Sequence, residues 1–166
     1  MLLQNRTEGL ASYLGLTPDE YATMCSKSDA VFENLLQAQR RKQAFRIYQL
    51  EFTEERRHIP FAFQGIDALH REGYKQPPAG LYELIFDYEM YCPMAWHEEE
   101  TLRFIGEHYS DRMPENYMGR ALSPSDVVEL YDGEQRRYYY VDANHHFVPV
   151  CFSPFLASKR ECKEDG

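Results

Sequence analysis

The chain has 166 residues, 43% of them hydrophobic and 14% aromatic, which rules out general disorder and supplies enough apolar side chain for one main domain with its own core. Its net charge of −9 repels phosphate, so nucleic-acid binding through the main domain is not expected. No stretch approaches the roughly 20 apolar residues of a membrane helix, Met1–Arg6 lacks a signal-peptide core, and Cys25, Cys92, Cys151 and Cys162 lack paired spacing; the chain reads as a cytoplasmic protein with free thiols.

Residues 1–42 read as an N-terminal helical segment. Thr17-Pro18-Asp19-Glu20 has the chemistry of a helix start: Thr17 caps, proline suits the first turn, and Glu20 reaches back to the cap. Ser28-Asp29 opens a second pattern, with Val31, Phe32, Leu35 and Leu36 at helical spacing and Arg40-Arg41-Lys42 near the end that the helix dipole leaves negative. A strand follows over Phe45–Phe52, then a short helix over Phe63–Glu72 stopped by Gly73, and a loop through Lys75–Gly80. Leu81–Tyr88 alternates, so Tyr82, Leu84, Phe86 and Tyr88 are expected on one face of a half-buried strand and Glu83 and Asp87 on the other.

Beyond Pro93, Glu98–Tyr109 reads as a helix presenting Leu102, Ile105 and Tyr109 on one side, and 110–125 reads mostly as loop. Three strand-like runs close the domain, at 127–131, 137–141 and 146–150. The first two are joined by Asp132-Gly133, where glycine is expected to supply the positive φ of a hairpin turn, and Asp142-Ala143-Asn144 breaks the chain before the third. Cys151, in apolar company, reads as a small buried hydrophobe. The fold class is α+β: a small mixed or antiparallel sheet with a C-terminal β-meander, two short packed helices and an N-terminal helical appendage. Residues 43–152 form the domain and 153–166 a C-terminal tail, charged and frayed from Lys159.

The charge is uneven. Residues 1–42 carry five acids and five bases, while residues 83–115 hold nine acids against Arg103 and Arg112, a local net of −7. His97-Glu98-Glu99-Glu100 suggests a metal motif, but the helical zinc pattern needs a second histidine where Thr101 stands. His108 is eleven residues along, about 16 Å at the helical rise, too far to share an ion. His145 and His146 point to opposite sides of an extended chain and read as turn histidines in water, although Asp142 lies near enough in sequence to orient one for acid–base work. Nucleophile elbows, phosphate-cradling glycine loops and dinucleotide fingerprints are absent, and Ser123-Pro124-Ser125-Asp126 reads as a turn that launches a strand. No catalytic residue, metal site or cofactor is therefore expected. Tyr138-Tyr139-Tyr140 beside Arg136-Arg137 has the makings of a base-stacking platform, but cross-strand packing is the simpler reading, and half-exposed tyrosines suit a protein interface. Ala11, Gly15 and Tyr21 fall at helix-turn-helix spacing, yet Pro18-Asp19-Glu20 would set acids against phosphates.

Several short runs carry a family resemblance: Arg46–Leu50 as an opening strand, Phe63, Ile66, Leu69 and Gly73-Tyr74 as a first helix and its exit, and Tyr82–Phe86 as a second strand. The most specific pieces are Pro114–Ser123 and Ser125-Asp126-Val127-Val128, with Tyr139–Asp142 following at the expected distance. Over residues 44–152 the chain resembles the YodL-like domains of bacteria, common in proteins of plasmids and integrative conjugative elements. It departs from them at Pro124, where an aliphatic residue is usual, and at Ala143–His146, which replaces a small glycine-containing turn. The resemblance implies fold and context and brings no catalytic residues with it.

The expectation is a cytoplasmic, non-enzymatic interaction module, an accessory protein of a bacterial mobile element. Its partner would be a basic or nucleic-acid-binding protein, met through an acidic, tyrosine-rich surface of Glu98, Glu99, Glu100, Glu107, Tyr138 and Tyr140, in one version by mimicry of DNA's charge. The alternative is a DNA-binding regulator that uses the N-terminal helix pair.

Overall fold

The strand β1 (Arg40–Leu50) sets the frame, because alternation points Phe45, Ile47 and Gln49 to one face and Arg46, Tyr48 and Leu50 to the other. The computed structural model describes residues 15–17, 19–20, 39–111, 114 and 117–159. In chain order the further elements are α1 (Ile66–Arg71), β2 (Tyr82–Pro93), α2 (Glu98–Asp111), β3 (Val127–Tyr131), β4 (Arg136–Val141), β5 (Phe147–Val150) and β6 (Ser158–Lys159). The strands form one six-stranded mixed sheet in the order β5-β4-β3-β1-β2-β6, so the fold class is α+β. β1 pairs antiparallel with β3, β3 with β4 and β4 with β5, which is the expected C-terminal meander, and β2 pairs in parallel with β6. Two compact units emerge, residues 1–43 with 90–101 and residues 44–89 with 102–166.

In the second unit both faces of the sheet are covered. On the Tyr48 face, Leu69 and Ala68 of α1 join Ile59 and Phe61 over Leu50, Tyr82, Val127 and Tyr140, with Phe152 against Tyr48 and Tyr82. On the Phe45 face, Tyr109 of α2 meets Phe45 and Phe86, and Tyr117 stacks in beside them. Leu102, Ile105 and Tyr109 are buried as their spacing requires. The far end of the Tyr48 face is polar: buried Glu129 accepts from Tyr48 Oη (2.8 Å) and Arg46 (3.3 Å). Arg46 also donates to Asp87, and its guanidinium lies 4.3 Å from the Tyr131 ring centroid.

The regular alternation expected of Leu81–Tyr88 is not what forms. Tyr82 and Leu84 join the Tyr48 face, but Phe86 and Tyr88 pack on Phe45, and Asp87 reaches Arg46 and Tyr131 on the Tyr48 face. The pattern slips by one residue between Leu84 and Phe86, as it does at a β-bulge, and Ile85 and Phe86 are both buried. α1 begins at Ile66, not Phe63, because Phe63 takes φ +61° and Gly65 is extended; Gly73 at φ +90° ends the turn as expected. Gly133 does not supply positive φ. The hairpin is closed instead by Asp132 N–H on Gln135 O (3.0 Å) and Gln135 N–H on Asp132 Oδ1 (3.2 Å). Within Ala143–His146, where the resembled domains have a glycine-containing turn, Asn144 and His145 both carry left-handed φ, the conformation a glycine would take without steric cost.

Cys151 is exposed, not buried, since β5 ends at Val150 and the Cys151 N–H is taken by Gln76 Oε1 (2.8 Å). With Pro149 offering no N–H, this edge strand is poorly suited to pairing with another chain. The presumed tail is partly ordered, with a 3-10 turn at Pro154–Leu156 and β6 on β2.

In the first unit, Thr17 and Glu20 form the expected reciprocal cap, Thr17 N–H on Glu20 Oε2 (2.8 Å) and Glu20 N–H on Thr17 Oγ1 (3.2 Å). The N-terminal helix pair and the helix-turn-helix reading otherwise lie outside the described residues. Arg40, Arg41 and Lys42 do not end a helix; they open β1, where Arg41 donates to Trp96 O (3.1 Å) and Lys42 lies over Tyr91. His97 N–H donates to Glu100 Oε2 (2.9 Å) at the start of α2.

Removing the Tyr48 hydroxyl takes one of the donors from a fully buried carboxylate. Tyr48→Phe is expected to cost about 1–3 kcal/mol in urea unfolding, while Tyr131→Phe, at a more exposed hydroxyl, costs less than about 1 kcal/mol.

Candidate functional site

Gln49 and Asp126 are the polar intruders in the core. Tyr48 pairs with Val127, so Gln49 and Asp126 fall on the next rung, where β3 has not yet begun. Both are fully buried, and such groups must find partners inside the protein. Gln49 Nε2 donates to Asp126 Oδ2 (3.0 Å) and Arg120 O (2.9 Å), with Tyr117 Oη at 3.4 Å, and Gln49 Oε1 accepts from Arg120 N–H (2.9 Å). Asp126 Oδ2 also accepts from Ser123 N–H (2.9 Å). One amide and one carboxyl thus fix residues 117–126, a stretch with no regular secondary structure, against the end of β1.

Gly119 is required for this approach. A Cβ there would lie 2.2 Å from Ile85 Cδ1 and 2.4 Å from Gln49 Oε1. Ser125 completes the corner at φ +81°: its Oγ accepts from Phe63 N–H (3.0 Å) and its carbonyl from Tyr82 Oη (2.7 Å). Two non-glycine residues in the left-handed region, Ser125 and Phe63, therefore hold one another in place, and such backbone cost persists only where the surroundings over-determine it.

The corner presents a surface. The Phe52 and Phe63 rings stack at 5.9 Å and 16°, yet are 39% and 49% exposed. The Arg120 guanidinium sits 5.4 and 5.2 Å from their centroids and donates to Leu50 O at 3.3 and 3.4 Å. Two buried atoms here lack a hydrogen-bond partner, Arg120 Nε and Asp126 Oδ1. Burial, only partly offset by the bonds from Ser123 and Gln49 and by the Arg120 charge, pushes the Asp126 carboxyl up to about 7.

The residues named from the sequence are differently disposed. Glu98, Glu99 and Glu100 make the first turn of α2, with Glu100 spent on the helix start; Glu99 and Glu107 are exposed. Tyr138 is partly buried against Phe152. Tyr140 is wholly buried, its hydroxyl donated to Gln64 O (3.1 Å), and so belongs to the core and not to an exposed surface. The tyrosine run does alternate, and the buried member serves cross-strand packing between β3 and β5. His145 is not simply in water: its Nε2 lies 2.9 Å from Ser110 Oγ. Asp142 is engaged elsewhere, accepting Ile66 N–H (2.9 Å) at the start of α1. His108 stacks on Phe104, and among the described residues no three His, Cys, Asp or Glu side chains gather as metal ligands.

Sequence reasoning missed Gln49, Phe52, Phe63, Arg120 and Asp126 as one site. The available signal was a glutamine in the same alternating row as Phe45 and Ile47, together with the runs that carry the family resemblance. The YodL-like domain model matches residues 44–151, and the chain belongs to that family. No curated protein and no solved structure matches it. Among the described residues no helix is long and apolar enough to cross a membrane.

Gln49→Ala leaves Asp126 and the Arg120 backbone short of partners, and Gly119→Ala drives a methyl group against the Ile85 side chain and Gln49 Oε1. Each is expected to destabilise the protein by roughly 2–4 kcal/mol in urea unfolding, far more than a surface change such as Glu134→Ala.

Proposed function

We propose that this member of the YodL-like family is a non-enzymatic protein-interaction module that docks through Phe52, Phe63 and Arg120. The observation behind this reading is a solvent-facing pair of stacked rings, with a guanidinium across both, anchored by hydrogen bonds to the fully buried Gln49 and Asp126. Ordering side chains at an interface costs free energy, and a pair already stacked forfeits less of it on binding. The rings suit an apolar side chain of the partner. Arg120 has five N–H groups, and its two bonds to Leu50 O leave donors for a neighbouring carboxylate. The partner segment is therefore apolar with an acid beside it.

In this reading the protein is a cytoplasmic accessory factor of a bacterial mobile element. A second reading, favoured by the exposure of Glu99 and Glu107, gives α2 a basic partner, with mimicry of DNA's charge as its sharpest form. A DNA-binding role for residues 1–42 is the remaining alternative; it requires salt-sensitive duplex binding that is lost when this segment is removed.

The test is affinity capture from host-type lysate after nuclease treatment, comparing the parent with Phe52→Ala/Arg120→Lys and with Glu99→Gln/Glu107→Gln, each first shown to be folded. A stoichiometric partner kept by the glutamine variant and reduced at least about tenfold by the Phe52/Arg120 variant is expected, the effect of losing one interface anchor. Retention by the Phe52/Arg120 variant and loss by the glutamine variant would move the docking site to α2.

A further inference from the structure

We infer that Asp126 is a proton-operated latch for this docking surface: protonated, it holds residues 117–126 against β1; ionised, it loosens them and with them Arg120 and Phe63. The inference assigns regulation to the surface proposed above, and its functional meaning rests on that proposal.

The connections are short. Asp126 Oδ2 takes Gln49 Nε2 and Ser123 N–H, and Gln49 in turn holds both the N–H and the carbonyl of Arg120. On the other side, Ser125 is the residue next to Asp126, and it holds Phe63 by the backbone at left-handed φ. Arg120 and Phe63, two of the three members of the surface, are thus each one side chain or one residue from the same carboxyl group. Glu129, also fully buried, is on the opposite face, with Tyr48 and Arg46 for partners.

The groups that face Asp126 decide what its charge meets. From the 117–126 stretch come Arg120, whose charge favours the ionised form, and the Ser123 N–H. From β1 comes the Gln49 amide. From β2 and β4 come Tyr82 and Tyr140, both uncharged, because burial holds their hydroxyls above the ordinary tyrosine range. Against these stands complete burial, with Oδ1 unpartnered. Desolvation wins, and the carboxyl titrates near neutrality instead of near the ordinary aspartate value.

The sign follows from linkage. The latched state binds the Asp126 proton more tightly than an open, hydrated state does, so latching is strongest below the ordinary carboxylate pKa. It weakens as pH rises towards about 7 and is weakest above it. Each pH unit within that window changes the opening equilibrium by up to about tenfold.

Two readouts on the intact protein test this without any partner. The first is carboxyl-carbon NMR of Asp126, expected to titrate near 7; a midpoint below about 5, within the ordinary aspartate range, would overturn the latch. The second is amide hydrogen exchange at Arg120, Ser123 and Phe63, corrected for the intrinsic rate. Protection is expected to fall by up to about a hundredfold from pH 5 to pH 7, against little change at Val128 in β3. Protection that does not depend on pH at these three amides would also overturn it. Asp126→Asn is expected to abolish the pH dependence; if that variant fails to fold, the two measurements on the parent decide alone. Because neither needs a docking partner, a failed titration leaves the docking proposal standing. A good titration with no effect of Phe52 and Arg120 on capture would reject the docking proposal alone.

Discussion

A buried glutamine amide at the end of β1 is the constraint on which the rest of this domain depends. Gln49 sits where an apolar side chain would complete the Phe45–Ile47 row, and burying an amide without partners costs a few kcal/mol. The sheet does not supply those partners. They come from the irregular segment 117–126 and from the carboxyl of Asp126. A stretch lacking helix and strand is thereby tied to the end of β1, with Gly119 making room for the approach. The consequences reach the surface, where Arg120 lies across the two stacked rings of Phe52 and Phe63.

β1 carries polar groups on both faces near its C-terminal end. Arg46 and Tyr48 meet Glu129 on one face, and Gln49 meets Asp126 on the other. A one-residue slip of β1 against β3 would turn every one of these groups to the wrong side, so the two sets together specify register more sharply than the apolar residues alone. The Glu129 set is closed, its two oxygens each met by a donor. The Asp126 set leaves one oxygen unmet, and burial pushes that carboxyl up to about 7.

Much of the architecture was legible from residue pattern. The meander follows from β-rich runs between turn residues, and the buried stripe Leu102, Ile105 and Tyr109 from helical spacing. The reciprocal Thr17–Glu20 cap was readable because it is purely local. What could not be read was non-local. The slip in β2 depends on Phe86 finding Phe45 and Tyr109, and the left-handed φ of Phe63 depends on Ser125, 62 residues away. Counting charge drew attention to the glutamates of α2, whereas Tyr140, grouped with them by composition, proved to be core. The candidate site itself joins Gln49, Phe52, Phe63, Arg120 and Asp126 from three separate stretches, and only the runs that carry the family resemblance hinted that most of them belong together.

The central claim is that Gln49 and Asp126 act as one unit. A double-mutant cycle of Gln49→Ala and Asp126→Ala, read by urea unfolding near pH 7, measures that directly. The account predicts a coupling of about 1–3 kcal/mol, the range for residues that share a buried hydrogen-bond network. Additive losses, with coupling below about 0.5 kcal/mol, would contradict it and leave the 117–126 segment held by packing alone.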